Sequence, residues 1–109
     1  MVIRAPAFIL NVRRQMLRAI VLNARDNVAV LLGAGAPADV CSLQGAQEGT
    51  LQLGTAIPYG HKVAIRPLRE GEDVVKYGEV IGRTTAPINV GEHIHIHNVE
   101  SLRGRGDKK

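Results

Sequence analysis

The segment Glu92-His93-Ile94-His95-Ile96-His97-Asn98 alternates imidazole with isoleucine. On an extended strand this alternation puts His93, His95 and His97 on one face and Ile94 and Ile96 on the other. Same-face neighbours on a strand stand roughly 6.5–7 Å apart at Cα. Two adjacent imidazoles, such as His95 and His97, can therefore converge on one metal ion, with further ligands supplied from elsewhere. Neutral imidazoles in such a row could equally orient a carboxylate or hydroxyl of a bound molecule, or relay a proton. The plain alternative is a solvated or partner-facing strand whose three histidines do nothing.

Two other stretches carry groups of the right type. In Gly60-His61-Lys62 a titratable group and a cation follow a turn, where side chains of a small β domain are free to project into a cleft. Lys76-Tyr77-Gly78-Glu79 gathers a cation, a phenol and a carboxylate around a glycine, a set able to clamp an acidic ligand. Polar turns of no function look much the same. There is no glycine-rich phosphate loop leading into a helix, no Gly-x-Ser-x-Gly and no readable Cys/His nucleophile pair. A complete stand-alone active site is not written in this chain.

The elements that must hold these groups are short strands and tight turns. Ile57-Pro-Tyr-Gly60-His-Lys-Val63, Leu68-Arg-Glu-Gly71-Glu-Asp-Val74 and Ile88-Asn-Val-Gly91-Glu-His-Ile94 share one spacing of apolar residue, glycine and apolar residue. A glycine fixed between apolar anchors supplies the positive φ of a tight turn, so each copy reads as a turn leading into a strand. Upstream, Leu17–Leu22 and Val28–Leu32 flank the turn formers Asn23–Asn27, which predicts a hairpin. Gly33–Gly54, rich in glycine, reads as mostly loop with one short strand around Thr50–Leu53. A short helix is expected, if anywhere, in the basic N-terminal segment or around Glu72–Tyr77. The fold class is mostly β, with at most one or two short helices.

Length and composition agree with this. The chain of 109 residues, 45% apolar and 22% charged, fits one globular domain. Residues 1–16 are expected to form an N-terminal extension, 17–103 the folded domain and 104–109 a basic tail. The +4 charge sits at the ends: residues 26–102 hold five bases against nine acids, so the folded part is acidic and steering onto phosphate is not its purpose. With one Phe, two Tyr and no Trp there is no platform for stacking bases, and no nucleic-acid partner is expected. No apolar run approaches a membrane span. The lone Cys41 cannot form an internal disulfide, which together points to a cytoplasmic location.

Asp26-Asn27-Val28-Ala29-Val30, Ile57–Ala64, Val75-Lys76-Tyr77-Gly78-Glu79-Val80-Ile81-Gly82 and Val90–Asn98, taken in order, resemble the small N-terminal module of the altronate and galactarate dehydratase family. That resemblance spans roughly residues 17–103 and implies an SAF domain of the β-clip fold. It further implies a hydro-lyase that removes water from a sugar acid to leave a 2-keto-3-deoxy acid, and a divalent metal, iron in family terms, held mainly by a large partner subunit. This chain would be the small subunit that completes or gates the partner's active site; self-association is left open. His93, His95 and His97 are then the catalytic candidates, with His95 and His97 as metal candidates. His61, Lys62, Lys76, Tyr77, Glu79 and Asn98 are the substrate-binding candidates. Two alternatives stand beside this reading: the small subunit of a sulfolactate sulfo-lyase, and a non-enzymatic SAF binding module.

Overall fold

The structure, a computed structural model, describes residues 17–102. The expected extension over 1–16 and the tail over 104–109 lie outside the described residues, as does the N-terminal segment in which a helix was anticipated. The elements among the described residues are nine strands: β1 (Leu17–Val21), β2 (Val28–Leu31), β3 (Val40–Gly45), β4 (Gly49–Gln52), β5 (Lys62–Ala64), β6 (Asp73–Lys76), β7 (Glu79–Thr84), β8 (His93–Ile94) and β9 (Val99–Ser101). They form a six-stranded sheet in the order β4-β3-β1-β2-β5-β8 and a three-stranded sheet in the order β6-β7-β9. The chain is mostly β, as the sequence predicts.

The hairpin across Asn23–Asn27 is present, with Ala19 opposite Leu31. Two expectations need correction. The stretch Gly33–Gly54 holds two strands where one was expected: the short strand around Thr50–Leu53 is β4, and ahead of it β3 runs parallel to β1 with Cys41 opposite Leu17, β4 returning antiparallel to β3. Cys41 and Leu43 point into the core while Val40 and Ser42 face outward, a two-residue period too short to stand out among flanking glycines. The segment around Glu72–Tyr77 is not helical either. It is β6 and the turn into β7, where Tyr77 and Gly78 have φ of 62° and 75°. A two-residue turn with positive φ at both central positions matches the twist of the strands it joins.

The glycine turn occurs four times, once more than the sequence shows. Gly60, Gly71 and Gly91 have φ of 82°, 83° and 88°, and Ala38 takes the same conformation at 76°. In each copy the next residue donates its N–H to the carbonyl three residues back: Asp39 to Ala36, His61 to Pro58, Glu72 to Arg69 and Glu92 to Asn89. Bridges pair the copies, Gly35 with Ile57 and Leu68 with Ile88.

β2 and β5 form the centre of the molecule. Consecutive side chains on a strand face opposite ways, yet Val28 and Ala29 on β2, and Val63 and Ala64 on β5, are all buried. Ala29 and Val63 join Leu31, Leu43, Leu53 and Ile57 in one core. Val28 and Ala64 join Leu68, Val74, Ile88 and Ile94 in a second. A polar seam ties the two sheets together. The N–H groups of Tyr77 and Gly78 donate to the two carboxylate oxygens of buried Asp26 at 3.1 and 2.8 Å. Asn27 accepts from the Val75 N–H at 2.8 Å and donates to the Asp73 carbonyl at 2.9 Å.

Candidate functional site

All four histidines of the chain meet at one place. His61 leaves the second turn and enters β5; β8 pairs with β5, setting His93 opposite Val63 and Ile94 opposite Lys62. His61 Nδ1 and His93 Nε2 are 2.8 Å apart, so one ring donates to the other. The His95 ring centroid lies 4.8 Å from that of His61 and 5.3 Å from that of His93, nearly parallel to the latter at 10°. His97 stands 5.5 Å from His93 on the outer side.

The rings gather by a different route from the one the alternation suggests. The strand stops at Ile94. Residues His95–Asn98 then turn, with the N–H groups of Asn98 and Val99 both donating to the His95 carbonyl. Ile94 is consequently buried while Ile96 is 84% exposed, not on a shared face. The turn is stapled by Asn98, only 8% exposed. Its amide donates to the His93 carbonyl at 2.8 Å and accepts from the His95 N–H at 3.0 Å. Asn98 thus lies behind the rings and positions them. Thr55 Oγ1 accepts from the His93 N–H at 3.0 Å and fixes the strand from the other side.

Why His61 is free to join the cluster follows from comparing the four turns. In the other three copies the residue after the left-handed position is an acid that bonds back onto its own turn: Asp39 accepts from Ala36 N–H, Glu72 from Arg69 N–H and Glu92 from Asn89 N–H, at 2.9, 2.8 and 2.8 Å. In the second copy the position of that donor is Pro58, which has no N–H. With no donor left to satisfy, position 61 can carry an imidazole that faces outward.

A cleft of about 790 Å³ opens beside the rings. Its polar lining includes Lys62, Lys76, Tyr77, Glu79 and His95, and its apolar wall includes Val80, Ile94 and Ile96. The seam at Asp26 presents the β6–β7 turn to this cleft, and Lys76 Nζ lies 4.8 Å from the centre of the Tyr77 ring. Burial, and secondarily the Lys76 charge, push the Lys62 ammonium below its ordinary range. Burial also lowers the His93 imidazole, followed by the neighbouring His61, His95 and His97 and then Lys62.

The structure therefore brings together His61, Lys62, Lys76, Tyr77, Glu79, His93, His95 and His97. Sequence reasoning missed Asp26, Thr55 and Pro58, which hold the site in place. Asp26 stands in the first block of the family resemblance, yet its place between two apolar runs reads as an ordinary turn and gives it no role.

The donor set suits a divalent metal. His61, His93 and His95 each offer a ring nitrogen, and these atoms lie within 4.8 Å of one another. Three imidazoles without thiolate or carboxylate suit a borderline first-row ion better than calcium or magnesium. Cations and imidazoles on one wall also suit an anionic ligand.

Comparison with known proteins gives this arrangement a context. Residues 17–102 match the altronate/galactarate dehydratase SAF domain. The chain is 52% identical over 59 residues to the (2R)-sulfolactate sulfo-lyase subunit alpha of Chromohalobacter salexigens, covering 52% of this chain and 63% of that protein. It is 47% identical over 47 residues to the subunit of the same name from Paracoccus pantotrophus, covering 43% of this chain and 70% of that one. Altronate dehydratase of Escherichia coli is 36% identical over 80 residues, covering 73% of this chain and 16% of the enzyme. The matched region thus spans less than two thirds of the Chromohalobacter subunit and a small part of the dehydratase. No helix among the described residues is long and apolar enough to cross a membrane.

Proposed function

The chain belongs to the altronate/galactarate dehydratase SAF-domain family, and on that premise we propose that it is the small subunit of a lyase acting on a 2-hydroxy acid. Its task is to complete the active site of a large catalytic subunit that supplies what this chain lacks. The observation that carries this reading is a cluster of four imidazoles whose member His95 also lines the cleft that holds Lys62 and Lys76. The alpha-subunit name of two relatives supports a complex of more than one chain. The sugar-acid dehydratase and the sulfolactate sulfo-lyase are two versions of one reaction. In both, the hydrogen on the carbon beside the carboxylate leaves as a proton. Its electron pair forms a double bond to the next carbon, and the group on that carbon departs, as water or as sulfite. The resulting enol becomes a 2-keto acid.

The charged and aromatic residues of the cleft and the imidazoles beside it have places in that sequence. Lys62 and Lys76 bind the carboxylate as cations, and the Tyr77 phenol hydrogen-bonds a hydroxyl or sulfonate oxygen. His97, exposed and outside the group of three close ring nitrogens, is the imidazole left to move a proton. Glu79 balances charge at the mouth of the cleft. A divalent metal, iron in the simplest case, would supply positive charge to the carboxylate and the 2-hydroxyl oxygen. The large subunit excludes water and presents the remaining acid or base.

The stronger identity to the Chromohalobacter subunit favours sulfite over water as the leaving group. The test is reconstitution. The tag-free chain alone should turn over neither sulfolactate nor altronate nor galactarate. With the large catalytic subunit of such a lyase and ferrous iron added, it should release sulfite or a 2-keto-3-deoxy acid. Turnover by the chain alone would overturn the reading. So would unchanged turnover of the complex after joint replacement of His93, His95 and His97, and a non-enzymatic binding module would then be the better account.

A further inference from the structure

We propose that this chain is itself the metal-bearing component, with His61, His93 and His95 forming a tridentate site that takes a first-row divalent ion without any partner. The inference deepens the lyase reading, because it assigns to the small chain the metal otherwise expected in the large one. The geometry of the site stands without that reading.

Metal–imidazole bonds are about 2.0–2.1 Å, which puts the nitrogens of neighbouring ligands on one ion roughly 3–3.4 Å apart. His61 Nδ1 and His93 Nε2 already stand 2.8 Å apart. The third nitrogen lies within 4.8 Å of both, so a modest turn of the His95 ring closes the set. Two facing ring nitrogens at hydrogen-bond distance hold a single proton between them, and one cation can take its place. No other hydrogen bond to the three rings occurs among the described residues, so no protein donor besides the rings themselves competes with an ion for their lone pairs.

The backbone under each ligand is fixed independently of the rings. The His61 N–H bonds to the Pro58 carbonyl, the His93 N–H to Thr55, and the His95 N–H to Asn98. A site whose ligands are held in place before the ion arrives loses little freedom on loading. The turn comparison adds an independent sign. Three of four equivalent turns use an acid to close themselves, and the one that does not combines proline with the histidine that completes the triad. The ring of His95 is exposed and borders the cleft, which leaves coordination positions on that side for water or a ligand's oxygens.

The test uses the full tag-free chain, stripped with chelator and titrated with Co²⁺ by visible absorption and with Zn²⁺ by calorimetry. One ion per chain should bind, and H61Q, H93Q and H95Q should each weaken binding at least thirtyfold. H97Q should stay within threefold of the unaltered chain. Should a variant fail to fold, Co²⁺-shifted proton resonances of the unaltered chain identify the ligands directly, and they should belong to His61, His93 and His95. Binding weaker than millimolar, or a ligand set that omits His61, would overturn the proposal. If the ion binds as described but the reconstituted complex has no lyase activity, the functional reading fails and the site stands. If the complex is active while this chain binds no ion, the reverse holds.

Discussion

At the scale of single residues, His93 has the most demanding position. Burial first, and then the charges of His61, His95, His97 and Lys62, lower its imidazole below the ordinary 6.5. The fold therefore favours the neutral ring. As the pH falls through about 6.5 the unfolded chain takes up a proton that the folded chain resists. The stability of the metal-free chain should thus be flat above that point and decline between it and the lowered folded value. Thermal melts from pH 8 to pH 5 should show this decline, and H93Q should flatten it; a melting temperature that rises on acidification would contradict the assignment. Much of this residue-level chemistry was legible in the sequence. The row of imidazoles, the His61-Lys62 pair and the Lys76–Glu79 turn could all be named from residue type and spacing. The route by which the rings meet could not, because alternation describes a strand that continues, whereas the Asn98 amide ends this one after Ile94.

At the scale of elements, the recurring turn is the unit of construction. Three copies were readable because glycine marks the left-handed position. The fourth was hidden because Ala38 adopts that conformation at φ 76°. An alanine there is strained by roughly 1 kcal/mol, so A38G should raise the stability of the chain by up to about 1 kcal/mol, partly offset by the greater freedom of glycine when unfolded. Chemical denaturation would measure it, and a destabilised A38G would show that the turn is not strained. The β6–β7 hairpin depends instead on Asp26, whose two carboxylate oxygens receive the Tyr77 and Gly78 N–H groups. Losing charge-assisted bonds to a buried group costs about 1.5–3 kcal/mol each. D26A should therefore lower stability by about 3 kcal/mol or more, and hydrogen exchange at Tyr77 and Gly78 should quicken more than at Leu31. Equal acceleration everywhere would mean that the seam holds no particular element. This pairing spans some fifty residues, and no local pattern announces a contact made that far along the chain.

At the scale of the whole molecule, charge is unevenly distributed along the chain. Residues 26–102 are acidic, while 1–25 carry five arginines and no acid, and 103–109 carry four bases and one acid. Basic ends beside an acidic stretch suit docking onto a partner. Removing residues 1–16 and 104–109 should leave the melting temperature nearly unchanged. It should also weaken binding to the large subunit several-fold at about 50 mM salt, with the difference fading near 500 mM as screening shortens the reach of the charges. No effect of trimming at either salt concentration would remove the electrostatic docking idea. A different consequence follows from β2 and β5, where adjacent residues are buried in separate cores. Inserting one amino acid into either strand would exchange its inner and outer partners all at once. Natural variation in length should therefore avoid Val28–Leu31 and Lys62–Ala64 and collect in the polar tips between strands, leaving the distance from scaffold to imidazoles the same in every descendant.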